Sequence, residues 1–481
     1  MKEQIKKFLP RNRFARSVSI LAGGTAAGQA VVVLASPLLT RLYSPEDFGL
    51  LAVYASLLTL ILVVSSLRYE LAIPLPEDDW QAANIVALCL LIVLCTSLLT
   101  AVAVLLFREP IANALGVPTL ASYMWLLPIG VLLGGVYPVF NYWAIRTKSF
   151  TAIASTKLWQ ALATIAIQLA AFRLGGVALL FGQVAGQSAG TANLARPVIK
   201  NILSCFNWSD VLALAKRYMK FPLYSANSGV IQAIYSQSPA IFLSLYGYIG
   251  VAGFWLLANR VAVIPYSLFS TSINQAIHKD LVTARENNSV GHKILPLMQR
   301  MVNLSLGPAI ILIFFASYLI PIIFGEKWSE AANIIKYALA LSTVTFIFSP
   351  MTTVISVMEW QKTGLWFQGV KCFVSVGVLA ILLHMEKPFG AIIAYCVSSI
   401  LLTFIYRLSL LRRLSVCVYP FLWGIIKNTA IYGAIGVLFV IISHDDVLLS
   451  IKIPLFIVLS MIAFFVYLFI NSKIRLFYIG N

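Results

Sequence analysis

Runs of roughly twenty apolar residues separated by short polar stretches recur along the chain, and that is the length a helix needs to cross a bilayer. Fourteen such runs lie near 18–41, 48–67, 84–107, 119–141, 152–172, 175–195, 223–246, 251–276, 300–323, 332–357, 364–384, 388–410, 421–443 and 449–471. The pattern predicts an all-α polytopic membrane protein. Counting from the N-terminus, the odd-numbered connections are all short and leave no room for an extramembrane catalytic domain. The longest of the others are 196–222 and 277–299. Within the first of these, Phe206–Lys220 spaces its apolar residues as a helix does and carries a basic face. This reads as an amphipathic linker lying on a leaflet.

Composition agrees. Of 481 residues, 60% are apolar and 11% charged, with a mean hydropathy of +0.90; a soluble domain is nearer 45–50% and about 25%. The net charge of +18 would suggest nucleic acid in a soluble protein. Here its distribution is topological. If the N-terminus is cytoplasmic, inner stretches gather 26 of the 35 Lys and Arg residues and outer stretches 7. That bias places both termini in the cytoplasm of a multi-pass protein of the cytoplasmic membrane, and no nucleic acid is needed to explain it. The N-terminal basic segment precedes a long apolar run with no small-residue cleavage site, so the first helix is expected to be uncleaved. Six scattered cysteines and four distant histidines indicate neither a disulfide framework nor a metal site, and no cofactor is expected.

The two halves echo one another. Ser36-Pro37 matches Ser238-Pro239 at an offset of 202, while Gly49, Ala72 and Ile73 match Gly253, Ala276 and Ile277 at an offset of 204. Both matched helix pairs run in the same sense, so the repeats are parallel about an axis along the membrane normal. The expected units are a first lobe at 1–195, the linker at 196–222, a second lobe at 223–410 and a C-terminal helix pair at 411–481.

Charges inside the spans are the candidate chemistry. Arg260 stands near the middle of the eighth run, where a cation costs about 2.5–3.5 kcal/mol even on the lenient insertion scale. It is expected to face a wet cavity as the main cation for an anionic cargo. Pro265 should bend the helix beside it. Lys371 supplies a second charge or snorkels to the inner surface. Asn227, Gln232 and Gln237, with Ser236 and Ser238, make the seventh helix unusually polar, which suits either a sugar-facing wall or interhelical hydrogen bonds. Gate or coupling candidates are Arg41 beside Glu46 and Asp47, the Arg68–Glu70 pair, Arg146, and Glu359 as a carboxylate for proton coupling.

Pro37-Leu-Leu-Thr-Arg41-Leu-Tyr-Ser-Pro-Glu-Asp-Phe-Gly49, followed by Leu67-Arg68-Tyr-Glu70-Leu-Ala-Ile73, resembles the N-terminal signature of bacterial polysaccharide-biosynthesis membrane proteins of the O-antigen flippase type. Phe324-Gly-Glu-Lys-Trp328 resembles the FGxxW element of that group. Ala258-Asn-Arg260 with Pro265 resembles a helix of lipid II flippases whose arginine faces the central cavity. All belong to the multidrug/oligosaccharidyl-lipid/polysaccharide exporter superfamily.

The resemblance implies two six-helix lobes around a central cavity that work by alternating access. It also implies a non-enzymatic flippase that moves oligosaccharide repeat units on undecaprenyl pyrophosphate to the outer leaflet, for O-antigen or another surface polysaccharide. The implied partners are the lipid-linked oligosaccharide and membrane lipids, with a polysaccharide polymerase and a chain-length regulator as further candidates. Two departures stand out. The first helix lacks the arginines of lipid II flippases, and it has no acid between Arg16 and Glu46, unlike drug-extruding relatives that couple to cations there. The competing readings are a cation-coupled small-molecule exporter of the same superfamily and a membrane polysaccharide polymerase or ligase.

Overall fold

The computed structural model of the chain describes residues 13–442. Every regular element among them is helical. Among the described residues nine helical stretches, one of them Ile249–His278, are long and apolar enough to span a membrane, and one bent pair passes the same test together. The run predicted at 449–471 lies outside the described residues, as do the terminal basic residues before Arg13.

The first half contains α1 (Arg13–Leu42), α2 (Pro45–Val64), α3 (Asp79–Ala114), α4 (Leu126–Arg146), α5 (Phe150–Ala170) and α6 (Gly176–Ser188). In it α1 lies along α5, α3 against α4, and α6 against both α4 and α5. Two short helices follow, α7 (Thr191–Cys205) and α8 (Trp208–Arg217). The second half contains α9 (Asn227–Leu245), α10 (Ile249–Ala258), α11 (Ile264–Glu286), α12 (Val290–Phe324), α13 (Ala331–Ile347), α14 (Pro350–Val357), α15 (Gln361–His384) and α16 (Pro388–Arg413). A last helix, α17 (Tyr419–Ile442), packs on α12.

Several helices are less regular than unbroken hydrophobic runs suggest, and proline accounts for most of the differences. The predicted helix 332–357 is broken between α13 and α14 with a bend of 41°, because Pro350 has no N–H to continue the ladder. The predicted helix 251–276 is α10 and α11 joined by a π-helical segment, Asn259–Val263, in which Ile264 N–H reaches back to the Asn259 carbonyl. Pro265 sits in the turn that follows, so the bend expected there takes the form of a widened turn. The predicted helix 175–195 ends early. Gly190 adopts a left-handed φ of 73°, and α7 starts after it, so the expected linker is two helices, the first beginning inside the predicted sixth span.

The halves share a core at one end and separate at the other. The largest cluster of buried apolar side chains runs from Leu39, Phe48 and Leu179 in the first half to Leu243, Phe254 and Ile334 in the second. It lies toward the turns that join α1 to α2 and α9 to α10. At the opposite end each half has its own core, one around Ile85, Val139 and Trp143 and one around Ile294, Met351 and Leu410.

The shared end is closed by a helix crossing at the two glycines of the internal echo. A Cβ on Gly49 would lie 2.0 Å from the Ile249 carbonyl oxygen, and one on Gly253 would lie 1.9 Å from that of Pro45. Only residues without side chains let α2 and α10 approach this closely. The aromatic element between α12 and α13 adds a clasp. The wholly buried Trp328 donates through Nε1 to the Thr40 carbonyl at 2.9 Å and meets Phe48 edge-on at 4.9 Å. Its neighbour Lys327 donates to the Tyr43 carbonyl.

Candidate functional site

A large cavity is carried by the second half, toward the end where the halves have separate cores. Its volume is about 1140 Å³, and α9, α11, α13, α14, α15 and α16 all contribute to its wall. The wall includes the cations Lys362, Lys371 and Arg407 and no carboxylate.

Aromatic faces seat two of these cations. Tyr235 and Tyr395 stack with centroids 5.3 Å apart. They are fixed by hydrogen bonds from Tyr395 Oη to the Tyr235 carbonyl at 2.8 Å and from Tyr235 Oη to Ser399 at 2.8 Å. Lys371 Nζ sits 4.6 Å above the Tyr235 ring. Phe367 and Tyr406 stack at 3.9 Å, with the Arg407 guanidinium 5.4 Å from the Tyr406 ring. Cation–π contact holds the position of a charge without consuming its N–H groups. Accordingly Arg407 Nε and Nη1 and Tyr406 Oη are buried with no hydrogen-bond partner. Neither Lys371 nor Arg407 is in an ion pair among the described residues. Unpaired buried donors are costly, and a ligand with several anionic oxygens satisfies all of them at once.

The cavity brings together three of the residues expected to bind cargo. Lys371, Asn227 and Gln232 line it, with Gln368 donating to Gln232 across from α15 to α9. Two others lie elsewhere. Gln237 accepts from Ser56 of α2 at 3.0 Å, the interhelical hydrogen bond that was its alternative reading. Arg260 is 8% exposed and not part of the cavity wall; its guanidinium lies 5.2 Å from the Phe48 ring of the first half. Its Nη1 has no partner. It therefore stands at the contact between the halves, while its neighbour Asn259 faces the cavity.

The gate and coupling candidates disperse to the helix ends. Arg41 is exposed, and no ion pair joins it to Glu46 or Asp47. Asp47 is engaged in a capping box with Ser44 at the start of α2, and the carbonyl of Arg41 accepts from Lys327. Arg68 and Glu70 pair at 3.7 Å on a turn where Leu67 and Arg68 have φ of 50° and 63°. From there Arg68 covers Gly229 of α9, where a Cβ would lie 2.7 Å from its Nη2.

Arg146 binds Asp79 at 2.9 Å and the carbonyls of Pro76 and Glu77, so its guanidinium is taken up within the first half. Glu359 pairs with Arg285 at 2.8 Å, and Arg285 also donates to the Val357 carbonyl at 2.7 Å; the carboxylate is exposed and engaged in this pair. These two clamps bridge corresponding loops of the two halves with the charges exchanged.

Sequence reasoning assigned Arg407 and Lys362 to topology alone and gave Trp328 no role. Arg407 lies within the apolar run 388–410, more than a turn before Arg412 and Arg413, and that depth was the available signal.

Comparison with known proteins follows the same lines. The sequence model of a family described as polysaccharide biosynthesis protein matches residues 38–333. A succinoglycan biosynthesis transport protein, ExoT, of Rhizobium meliloti (strain 1021) is 24% identical over 359 residues, 72% of this chain and 69% of that one. The lipid II flippase MurJ in an inward closed conformation superposes with a TM-score of 0.75 at 13% identity, covering 95% of this chain and 99% of the other. A multidrug resistance MATE family transporter of the MOP superfamily, inward-facing, gives 0.63 at 14% identity, covering 84% and 95%. The chain is thus a multi-pass membrane protein with the fold of these transporters, and it belongs to the polysaccharide biosynthesis protein family.

Proposed function

We propose that the chain is a flippase that moves undecaprenyl-pyrophosphate-linked oligosaccharide units from the inner to the outer leaflet of the cytoplasmic membrane for a surface polysaccharide. The observation that carries this reading is the second-half cavity, a large space of mixed lining whose wall holds three cations and no acid. A diphosphate meets the unpaired donors of Arg407 and the ammonium of Lys371, and the amides and hydroxyls of Asn227, Gln232, Ser228 and Gln368 suit neutral sugars. The polyprenyl tail has no reason to leave the lipid. The protein lowers the barrier by supplying a wet, positive path for the head group and makes no covalent change. The same positive lining disfavours the exporter reading for cationic drugs.

In this reading the two lobes, 1–195 and 223–410, pivot about the linker 196–222, the C-terminal segment 411–481 belongs to neither lobe, and both termini are cytoplasmic. The shared core then lies at the outer end, and the cavity faces inward. Outward opening must part α2 from α10, break the Trp328 clasp and strip Phe48 from Arg260. That last step uncovers a guanidinium to the space between the lobes, where it can receive the diphosphate as it leaves Lys371 and Arg407.

The experiment is genetic. A deletion strain should accumulate lipid-linked units on the inner leaflet, and the wild-type chain should restore surface glycan where the Lys371→Gln/Arg407→Gln variant does not. Units that reach the outer leaflet of the deletion strain and stay unpolymerised would point instead to a polymerase.

A further inference from the structure

The face that α8 turns away from the protein has the chemistry of a lipid-headgroup contact. Inward, α8 buries Val211 and Leu214. It is fixed to the first half by Asn207 N–H donating to Asn84 of α3 at 3.1 Å and by Tyr69 Oη donating to the Ala215 carbonyl at 2.9 Å. These anchors lie at the start of α3 and just past the end of α2, which puts α8 at the level where the spans meet water.

Outward, Trp208, Leu212 and Lys216 follow one another at four-residue spacing and so form one stripe along the helix. Phe206 joins the stripe at its start, its ring centroid 6.5 Å from that of Trp208. Phe206 is 50% exposed, Trp208 56% and Leu212 56%, a contiguous apolar patch of the kind that marks membrane or partner contacts. Lys216, Arg217 and Lys220 cluster at its far end, all exposed. Aromatic rings beside a basic cluster suit the boundary of an anionic bilayer, where rings sit among headgroups and each cation near the surface is worth about 1 kcal/mol.

We propose that this face of α8 docks onto the anionic phospholipid headgroups of the adjoining leaflet, with Phe206, Trp208 and Leu212 inserted and Lys216, Arg217 and Lys220 reading the charge. The Tyr69 bond ties that contact to the turn carrying Arg68 and Glu70, so lipid charge restrains the segment that covers Gly229. The inference is independent of what the cavity carries.

The test uses the full chain in nanodiscs. The fluorescence of Trp208 is isolated as the difference between wild type and Trp208→Phe, and quenched by brominated phosphatidylglycerol or brominated phosphatidylcholine. Quenching by the anionic lipid should be at least about twofold stronger, and the preference should vanish in Lys216→Gln/Arg217→Gln/Lys220→Gln. In case that variant misfolds, the wild type carries the same test, because raising salt from 0.1 to 1 M shortens the screening length from about 10 to about 3 Å and should erase the preference. Equal quenching by both lipids, quenching by neither (a face covered by water or by a protein), or a preference that survives high salt would each overturn the proposal.

Discussion

Replacing Gly253 by alanine probes the contact that keeps the two halves together. The added Cβ would lie 1.9 Å from the Pro45 carbonyl oxygen and 3.0 Å from the Gly49 nitrogen, where ordinary contact begins at 3.4 Å, so α2 and α10 must move apart by about 1.5 Å. The obstruction is backbone on both sides and cannot be relieved by a rotamer change. Overpacking of this kind costs about 1–3 kcal/mol, and each 1.4 kcal/mol is about tenfold in an equilibrium. The penalty falls only on states in which the crossing is made. The ratio of parted to joined molecules should therefore rise by roughly 5- to 150-fold.

Spin labels on Arg173→Cys and Met385→Cys, in a background with the exposed Cys95 and Cys417 replaced by serine, report the distance across this end. Gly253→Ala should add a population at longer distance. Gly369→Ala is the control, since its Cβ would meet nothing within 4 Å. A distance distribution unchanged by Gly253→Ala, or shifted equally by Gly369→Ala, would refute the claim that this crossing closes the end.

Three further outcomes follow from the same contacts. Trp328→Phe keeps the buried ring but leaves the Thr40 carbonyl without the indole N–H; it should cost about 0.5–1.5 kcal/mol, read as a lower midpoint in detergent thermal unfolding and a looser distance across the same labels. Arg260→Met removes a buried cation whose Nη1 has no partner, so thermal stability should hold or rise, as when buried charges are replaced by apolar groups, while surface glycan assembly falls; a clear loss of stability would contradict the geometry. Arg146→Gln should destabilise by about 1.5–3 kcal/mol, because that side chain is 11% exposed and holds two carbonyls besides Asp79. Asp79→Asn, on a carboxylate that is 77% exposed, should cost under about 1 kcal/mol, and equal losses in the two variants would be contrary to expectation.

The fold was largely readable because the bilayer imposes a length on apolar runs that sequence records directly. Each predicted run within the described residues corresponds to a helix or a broken pair. What periodicity does not record is where the ladder changes. The π segment at Asn259–Val263 inserts an extra residue into a turn, which rotates everything that follows about the helix axis, and a helical projection of an unbroken run cannot assign a face there. Arg260 was expected in a cavity because a mid-span cation is costly; burial cost names no face, and the side chain is found against Phe48 while Asn259 faces the cavity. Lys371 was legible because it stands alone in an apolar run. Arg407 was not, because a cation near a helix end that also holds Arg412 and Arg413 looks like one more inner-surface charge. The glycine echo was visible as a repeat, but its meaning is a contact between the two copies, and no single chain segment contains that information.

The central claim is that Lys371 and Arg407 receive the anionic head of a lipid-linked saccharide, and transport in reconstituted vesicles tests it most directly. Purified chain in liposomes should move a polyprenyl-diphosphate-linked oligosaccharide across the bilayer, and Lys371→Gln/Arg407→Gln should slow that movement at least about tenfold with the protein still folded, consistent with losing about 1.4 kcal/mol or more of binding. Transport at the wild-type rate by the double variant, or equally fast movement of a neutral polyprenyl glycoside, would contradict it.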